Sequence, residues 1–553
     1  MNSTTRELPP ASTRERVAYK WKVLITVMIG IFMIILDSTV INVAFPTLRR
    51  EFGVGLNDAQ WVISIYVLSL GIVMPIAGFL ADRFGLKRIY LTGLVLFVSG
   101  SFLCGIAPSL GLLIAARALQ GLGGGLSQPL GAALLFRTFP PREQGTALGL
   151  FGISLVAAPA LGPILGGYLV DANVWRFIFF INIPIGIAGL TLATRFLRAE
   201  RPSGAVALDP LGILLAVIGF GSVLYGATTA ADNGWTSPIT LTAFGVGLVA
   251  LLLFGFVELR VAKEPMLNLR LYKNRTFANA SAVGYVAVIA LFGAEFLMPI
   301  YLQALRGRTA LETGIILLAL AVAAGVSTPT AGKLYDRIGP RPLVVGGFAL
   351  LLFNTWQLSQ IQADTSIQYI AFLLAVRGLG LGMSVQTTFS TALGNIPPAL
   401  LARGSSLVNS TRSLVQAVGV AALATILTSS LSPAVKVQQA QAQEQGVGQT
   451  AASQRFGLCE TPGVASADNI PPAAAAQVQG LPTKAQGTAH EAILAGVRET
   501  CAQYVTGFER TYQVTFFASL VALVLGLFLP GWPGQWAGRA AMVDRTHGVQ
   551  PGH

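Results

Sequence analysis

The sequence predicts an all-α polytopic membrane protein, and three observations carry that expectation. Of its 553 residues, 53% are hydrophobic and only 11% charged, where an ordinary soluble domain has about a quarter charged. Its mean hydropathy is +0.65. The apolar residues form long runs that, at about 1.5 Å of rise per residue, can cross about 30 Å of hydrocarbon. Lysines and arginines fall between the runs, concentrated in alternate loops.

Fourteen spans are expected, near 22–45, 59–81, 89–107, 110–136, 146–170, 176–197, 209–229, 239–259, 277–301, 309–331, 342–360, 367–394, 405–429 and 511–530. The start from Met1 to Lys20 is polar and basic, and the first apolar run is too long for a signal-peptide core, so the first helix is expected to stay in the mature chain. Placing the amino terminus in the cytoplasm puts most basic residues inside, among them Arg14, Arg83, Lys87, Arg137, Arg195, Arg260, Arg337 and Arg403. The opposite short loops keep little more than Arg49, Arg50, Arg176, Arg306 and Arg308. This bias predicts that both termini are cytoplasmic. The formal net charge of +13 is broken into these short clusters. No continuous basic patch forms, and no nucleic-acid partner is expected.

Within the first span lies one carboxylate, Asp37, about 22 Å from Lys22 and about 18 Å from Arg49. An ionised acid at that depth costs about 3 kcal/mol even on a lenient insertion scale. It is expected to face a bundle interior, find a partner or hold a proton. Arg117 in span 4 follows 80 residues later, and Glu295 in span 9 and Arg377 in span 12 are 82 apart.

The loops repeat as well. Gly78 to Arg88 and Gly332 to Arg341 both read Gly, three residues, Asp-Arg, one residue, Gly, one or two residues, then a base. Glycine permits a tight reversal, and the acids and bases can pair with helix ends or with each other across a gate. The repeats predict two six-helix bundles with two helices between them. The expected division is a tail 1–21, a bundle 22–200, inserted helices and flanking loops 201–276, and five helices of the second bundle 277–430. An extracytoplasmic loop 431–510, the last helix 511–530 and a tail 531–553 complete it.

These motifs resemble the fourteen-helix drug–proton antiporter group of the major facilitator superfamily, the EmrB/QacA-like transporters. Leu36-Asp37-x-Thr39-Val40-x-Asn42 is similar to its first-helix signature, and Gln60-Trp61 with Tyr66 to its second. The segment Gly78, Asp82, Arg83, Gly85, Lys87 is similar to the superfamily loop motif, with Leu86 where a base is usual; Asp336 and Arg337 repeat its core. Arg117-Ala118-Leu119-Gln120-Gly121 resembles the motif whose arginine is implicated in proton coupling. Gly162, Pro163, Gly166 and Gly167 resemble the span 5 motif that marks antiporters, although by residue type alone they read as a packing face. Trp175-Arg176-x-x-Phe179-Phe180-x-Asn182 and Asn409-Ser410-Thr411-Arg412 match its spans 6 and 13. The resemblance implies a major facilitator fold and proton coupling through Asp37, Arg117 and Glu295.

It also implies export of amphipathic, often cationic, compounds by alternating access, with no cofactor beyond the proton gradient. Whether a periplasmic adaptor and an outer-membrane channel receive the substrate depends on the cell envelope; the implied location is a bacterial inner membrane. A transporter of one defined metabolite, lipid or siderophore is the alternative. A lipid-modifying enzyme needs a nucleophile, base or metal cluster, and His490, His547 and His553 all lie outside the spans. There is likewise no Gly-x4-Gly-Lys-Ser/Thr phosphate loop. Trp61, Tyr66, Phe296 and Tyr301 are candidates for a substrate cavity, with core or lipid-facing placement as the competing reading. The 431–510 segment is rich in Ala, Gln, Gly and Pro, with a helical pattern from Thr488 to Glu509. Its outside location permits a Cys459–Cys501 disulfide, worth at most about 4 kcal/mol in loop closure.

Overall fold

In the computed structural model of the chain, the described residues are 13–199, 209–362, 365–432 and 483–531, with 435, 459 and 478. The first twelve residues, most of the 431–510 loop before residue 483, and the tail from 532 lie outside them. The helices are α1 (Thr13–Phe52), α2 (Leu56–Phe84), α3 (Leu86–Gly105), α4 (Leu110–Thr138), α5 (Gln144–Asp171), α6 (Phe177–Phe180) and α7 (Asn182–Phe196). They continue with α8 (Pro210–Asn233), α9 (Pro238–Phe256), α10 (Arg275–Ile300), α11 (Ala310–Ile338), α12 (Pro340–Leu358), α13 (Ile367–Leu393), α14 (Leu401–Ser429) and α15 (Thr483–Leu527).

Among the described residues, twelve helices are long and apolar enough to cross a membrane. Two further long helices are not counted among these: α10, whose side chains at 291–296 lie outside the described residues, and α12, whose apolarity Arg341, Asn354 and Gln357 dilute. The sixth expected span is α6 and α7 joined at Ile181. The side of the molecule where α1 begins is the near face, and the opposite side the far face.

Sequence chemistry sets the ends of these helices. Ser109, Asp209, Ser237, Asn274, Thr309 and Ser366 each cap a helix by accepting a backbone N–H bond, and Thr309 with Glu312 completes a reciprocal capping box. At the two loop repeats the chain turns on a single glycine. Gly85 ends α2 and opens α3 at φ 97°, and Gly339 does the same between α11 and α12 at φ 79°. Both lie in the left-handed region that a side chain would strain.

Helices α1 to α7 pack mainly on one another, as do α10 to α15. Two seams join the sets, α5 against α11 and α2 against α14, and α8 packs on α2, α14 and α9. The α5–α11 seam is a backbone contact: a Cβ on Gly332 would sit 2.3 Å from the Gly145 carbonyl oxygen, and one on Gly149 would sit 2.8 Å from that of Thr328. Close approach of this kind drives helix association where lipid offers no hydrophobic gain.

The last helix departs from its expected span, because α15 begins at Thr483 rather than near 511. Cys501 on that extension is joined to Cys459, whose N–H donates to the Leu305 carbonyl at the far end of α10. Around this tie Tyr301, Leu302, Leu305, Leu358, Tyr504 and Phe508 form a cluster separate from the main core. Denatured, unreduced protein should therefore take up one maleimide-polyethylene glycol, at Cys104, and reduced protein three. Three additions without reduction would show that the bond does not form.

Candidate functional site

Asp37 lies on α1 in the far half of the molecule, with 1% of its surface exposed. Arg117 of α4 places Nη1 2.5 Å from its Oδ2, and both side chains are inaccessible to solvent. Oδ1 accepts from Gln120 Nε2 and from Asn182 Nδ2, each at 2.7 Å. Both amides also donate to Ser101 Oγ at 2.9 Å, and Ser101 in turn donates to the Phe179 carbonyl. The carboxylate meets donors from α4 and α7, and Ser101 of α3 ties those donors together.

Arg117 is fixed just as closely. Its Nε donates to the Val62 carbonyl of α2 at 3.1 Å, its Nη1 also reaches Gln120, and its guanidinium lies 4.1 Å from the centre of the Tyr66 ring. The glycines of its own motif allow this. A Cβ on Gly121 would sit 2.5 Å from the Tyr66 carbonyl oxygen, and one on Gly123 would sit 2.4 Å from the Phe97 nitrogen. Side chains there would push α2 and α3 away from α4 and break the arginine's reach.

The span 5 motif sits beside this site. Gly162 faces Thr39 so closely that a Cβ would lie 2.2 Å from its Oγ1, and Gly166 faces the Val40 backbone; Gly167 meets nothing. Pro163 and Ile164 touch the position of Gly314 on α11. Helix α5 thus links the segment carrying Asp37 to the other helix set.

The two loop acids both reach across the seams at the near face. Asp82 of α2 accepts from Arg403 Nε of α14 at 2.7 Å and lies 3.6 Å from Arg137 of α4. Gly78 rests on the Ala402 carbonyl, where a Cβ would come within 2.5 Å. Asp336 of α11 accepts from the N–H groups of Gly145 and Thr146, both at 2.9 Å, and from the Thr146 hydroxyl at 2.7 Å. This is an anion held at a helix N-terminus. Of the bases in the first loop motif, Arg83 lies over the Phe84 ring, and Lys87 donates to the Thr194 and Leu197 carbonyls. Arg337 sits in the last turn of α11.

The three described cavity candidates, Trp61, Tyr66 and Tyr301, do not converge. Tyr66 is buried under Arg117 and donates to the Ile34 carbonyl, whereas Trp61, five positions earlier on α2, is 40% exposed and stacks on Tyr225 of α8. Five residues turn a helix by about 140° beyond a full turn, so the two rings occupy different faces. Tyr301 is locked at the far end of α10, its hydroxyl bound to the Gln362 carbonyl and to Arg306. Glu295 and Phe296 belong to α10, and their side chains lie outside the described residues. Arg377 is buried like Arg117, with Asn354, Thr355 and the Ala290 carbonyl among its partners.

Removing one partner of a buried ion pair strands the other charge, at a cost of about 3–5 kcal/mol. Arg117→Met and Asp37→Asn should therefore each lower the thermal stability of purified protein, and the double variant should lose less than the sum of the two. Simple additivity of the two losses would mean that the groups are not coupled in the folded protein.

Comparison with known proteins agrees with this architecture. A family model described as "Major Facilitator Superfamily" matches residues 27–420. The "Uncharacterized MFS-type transporter YhcA" of Bacillus subtilis is 35% identical over 405 residues, covering 73% of this chain and 76% of that protein. The "Multidrug resistance protein B homolog" of Mycobacterium tuberculosis is 32% identical over 396 residues, covering 71% and 73%. The "Lincomycin resistance protein LmrB" of B. subtilis is 29% identical, covering 75% and 88%. Among solved structures, the human organic anion transporter MFSD10 (TETRAN) aligns with a TM-score of 0.55 at 13% identity, covering 93% of this chain and all of that one. With this family match and these transporter relatives, the chain belongs to the major facilitator superfamily and is a membrane transporter, not an enzyme.

Proposed function

We propose that the chain is a fourteen-helix efflux transporter that exports amphipathic, often cationic, organic compounds in exchange for protons. The observation that carries this reading is the buried pair of Asp37 and Arg117. A charge pair with no solvent access, at membrane depth and satisfied only by neighbouring helices, is an expensive way to hold a bundle together and an effective way to make one sensitive to helix movement. Relatives named for multidrug and lincomycin resistance support the export of drugs. The near face is the cytoplasmic side of a bacterial membrane in this reading, with both chain ends on it.

The conformation seen is then one stage of an alternating cycle. The Asp82–Arg403 and Asp336–α5 contacts close the cytoplasmic gate. Opening it requires α5 to move against α11, and the Gly162–Thr39 contact carries that movement to the segment of α1 beside Asp37. Where α1 parts from α4 and α7 the carboxylate loses Arg117, Gln120 and Asn182 and takes up a proton, and where they return it releases one. Exchange requires that uptake face the outside and release face the cytoplasm, from which substrate enters. Arginine keeps its own proton throughout. A cation in the cavity favours the ionised acid, which links substrate to proton without their touching.

Purified protein in liposomes with an imposed pH gradient tests this. Several chemically unrelated lipophilic cations should accumulate, and a proton–potassium ionophore should abolish the accumulation. Uptake confined to one compound would favour the single-substrate alternative, and uptake indifferent to the pH gradient would remove proton exchange.

A further inference from the structure

The two inserted helices end on the gate. At the near end of α9 the backbone widens into a π-turn, Val257–Val261, in which Glu258 is 1% exposed. Its two carboxylate oxygens accept from the N–H groups of Met266 and Leu267, at 3.1 and 3.3 Å. These residues are themselves buried in the main core. Gly212, in the first turn of α8, lies against both Glu258 and the capping Asp209, so that a Cβ there would be 3.1 Å from Glu258 Oε1 and 2.3 Å from Asp209 Oδ2.

The segment held by Glu258 is the one that holds Arg403. Arg403 Nη1 donates to the Pro265 carbonyl at 3.0 Å, and Nη2 lies 3.8 Å from the Glu264 carboxylate. The remaining arm of the same guanidinium is the Nε that clasps Asp82. Guanidinium is a rigid planar fork, so holding Nη1 on the Pro265 carbonyl constrains the direction of Nε.

We infer that Glu258 is a positioning residue of the gate, through which the inserted helices α8 and α9 set the strength of the Asp82–Arg403 contact. The inference rests on the alternating-access reading above and adds to it a role for the pair of helices that lies between the two bundles. A carboxylate suits this place because both of its oxygens accept. Glu258→Gln keeps the shape but turns one arm into an NH2 donor facing a backbone N–H, which releases the 264–267 segment from one side.

A single cysteine at the seam reads the gate. Ser405 is fully buried, and its hydroxyl donates to the Pro129 carbonyl across the contact of α14 with α4. In nanodiscs, Ser405→Cys should react slowly with a water-soluble maleimide. Asp82→Asn and Glu258→Gln should each speed that reaction by about fivefold or more, the usual range of coupling between sites. The double variant should be no faster than Asp82→Asn alone. The buried native thiol Cys104 serves as control, because general loosening of the fold would expose it too. By reciprocity, Asp82→Asn should also raise hydrogen exchange at the Met266 and Leu267 amides, a reading that does not depend on Glu258→Gln folding.

If Asp82→Asn leaves the Ser405→Cys rate unchanged, the gate reading itself is wrong. If Asp82→Asn speeds labelling while Glu258→Gln does not, or while exchange at Met266 and Leu267 stays at the parent level, the inserted helices are not coupled to the gate. An equal rise at Cys104 in Glu258→Gln would assign the residue to general stability.

Discussion

A carboxylate cannot be left unsatisfied at membrane depth, and most of the first helix set is arranged around that requirement. Asp37 needs donors from α4 and α7, which brings both helices to α1. Arg117 and Gln120 reach it only because glycines at 100, 121 and 123 let α2, α3 and α4 touch backbone to backbone. Ser101 occupies the remaining gap and bridges the two amides. Each element is explained by the one before it, starting from the solvation cost of a single charge.

The same logic extends to the second helix set. It repeats the buried arginine, with Asn354, Thr355 and the Ala290 carbonyl among the partners of Arg377. At the near face the repeat is closer in outline than in chemistry. Asp82 crosses its seam to an arginine, and Asp336 crosses the other to the amides of a helix N-terminus. One clasp depends on a side chain held by the 264–267 segment, and the other on main-chain amides whose direction the first turn of α5 sets. In the alternating-access reading, this makes the α2–α14 seam the adjustable one.

Much of this was legible in the sequence, and the limits follow from the same physics. Charges inside apolar runs stand out, so Asp37, Arg117 and Arg377 could be picked out by residue type and depth. Gln120, Ser101 and Asn182 carry no charge and interrupt the apolar runs only mildly; nothing but their placement marks them as ligands of the carboxylate. Arg403 reads as one more basic residue fixing topology, since its partner lies 321 positions away. Glu258 sits unremarked at the end of the expected span 239–259, because a π-turn that points it inward leaves no trace in hydropathy. Trp61 and Tyr66 look alike as aromatic residues on one helix, and only the angle between them separates a ring stacked on α8 from one buried beneath the arginine.

The central claim is that the charge of Asp37 alternates with substrate occupancy. The most direct measurement is the pH change on adding a lipophilic cation to weakly buffered, detergent-solubilised protein. Wild type should release protons, and Asp37→Asn, which retains the packing and loses the titrating group, should release none while still binding the cation. Proton release from Asp37→Asn equal to that of the parent would show that Asp37 is a structural hydrogen-bonding residue and that the proton is carried elsewhere.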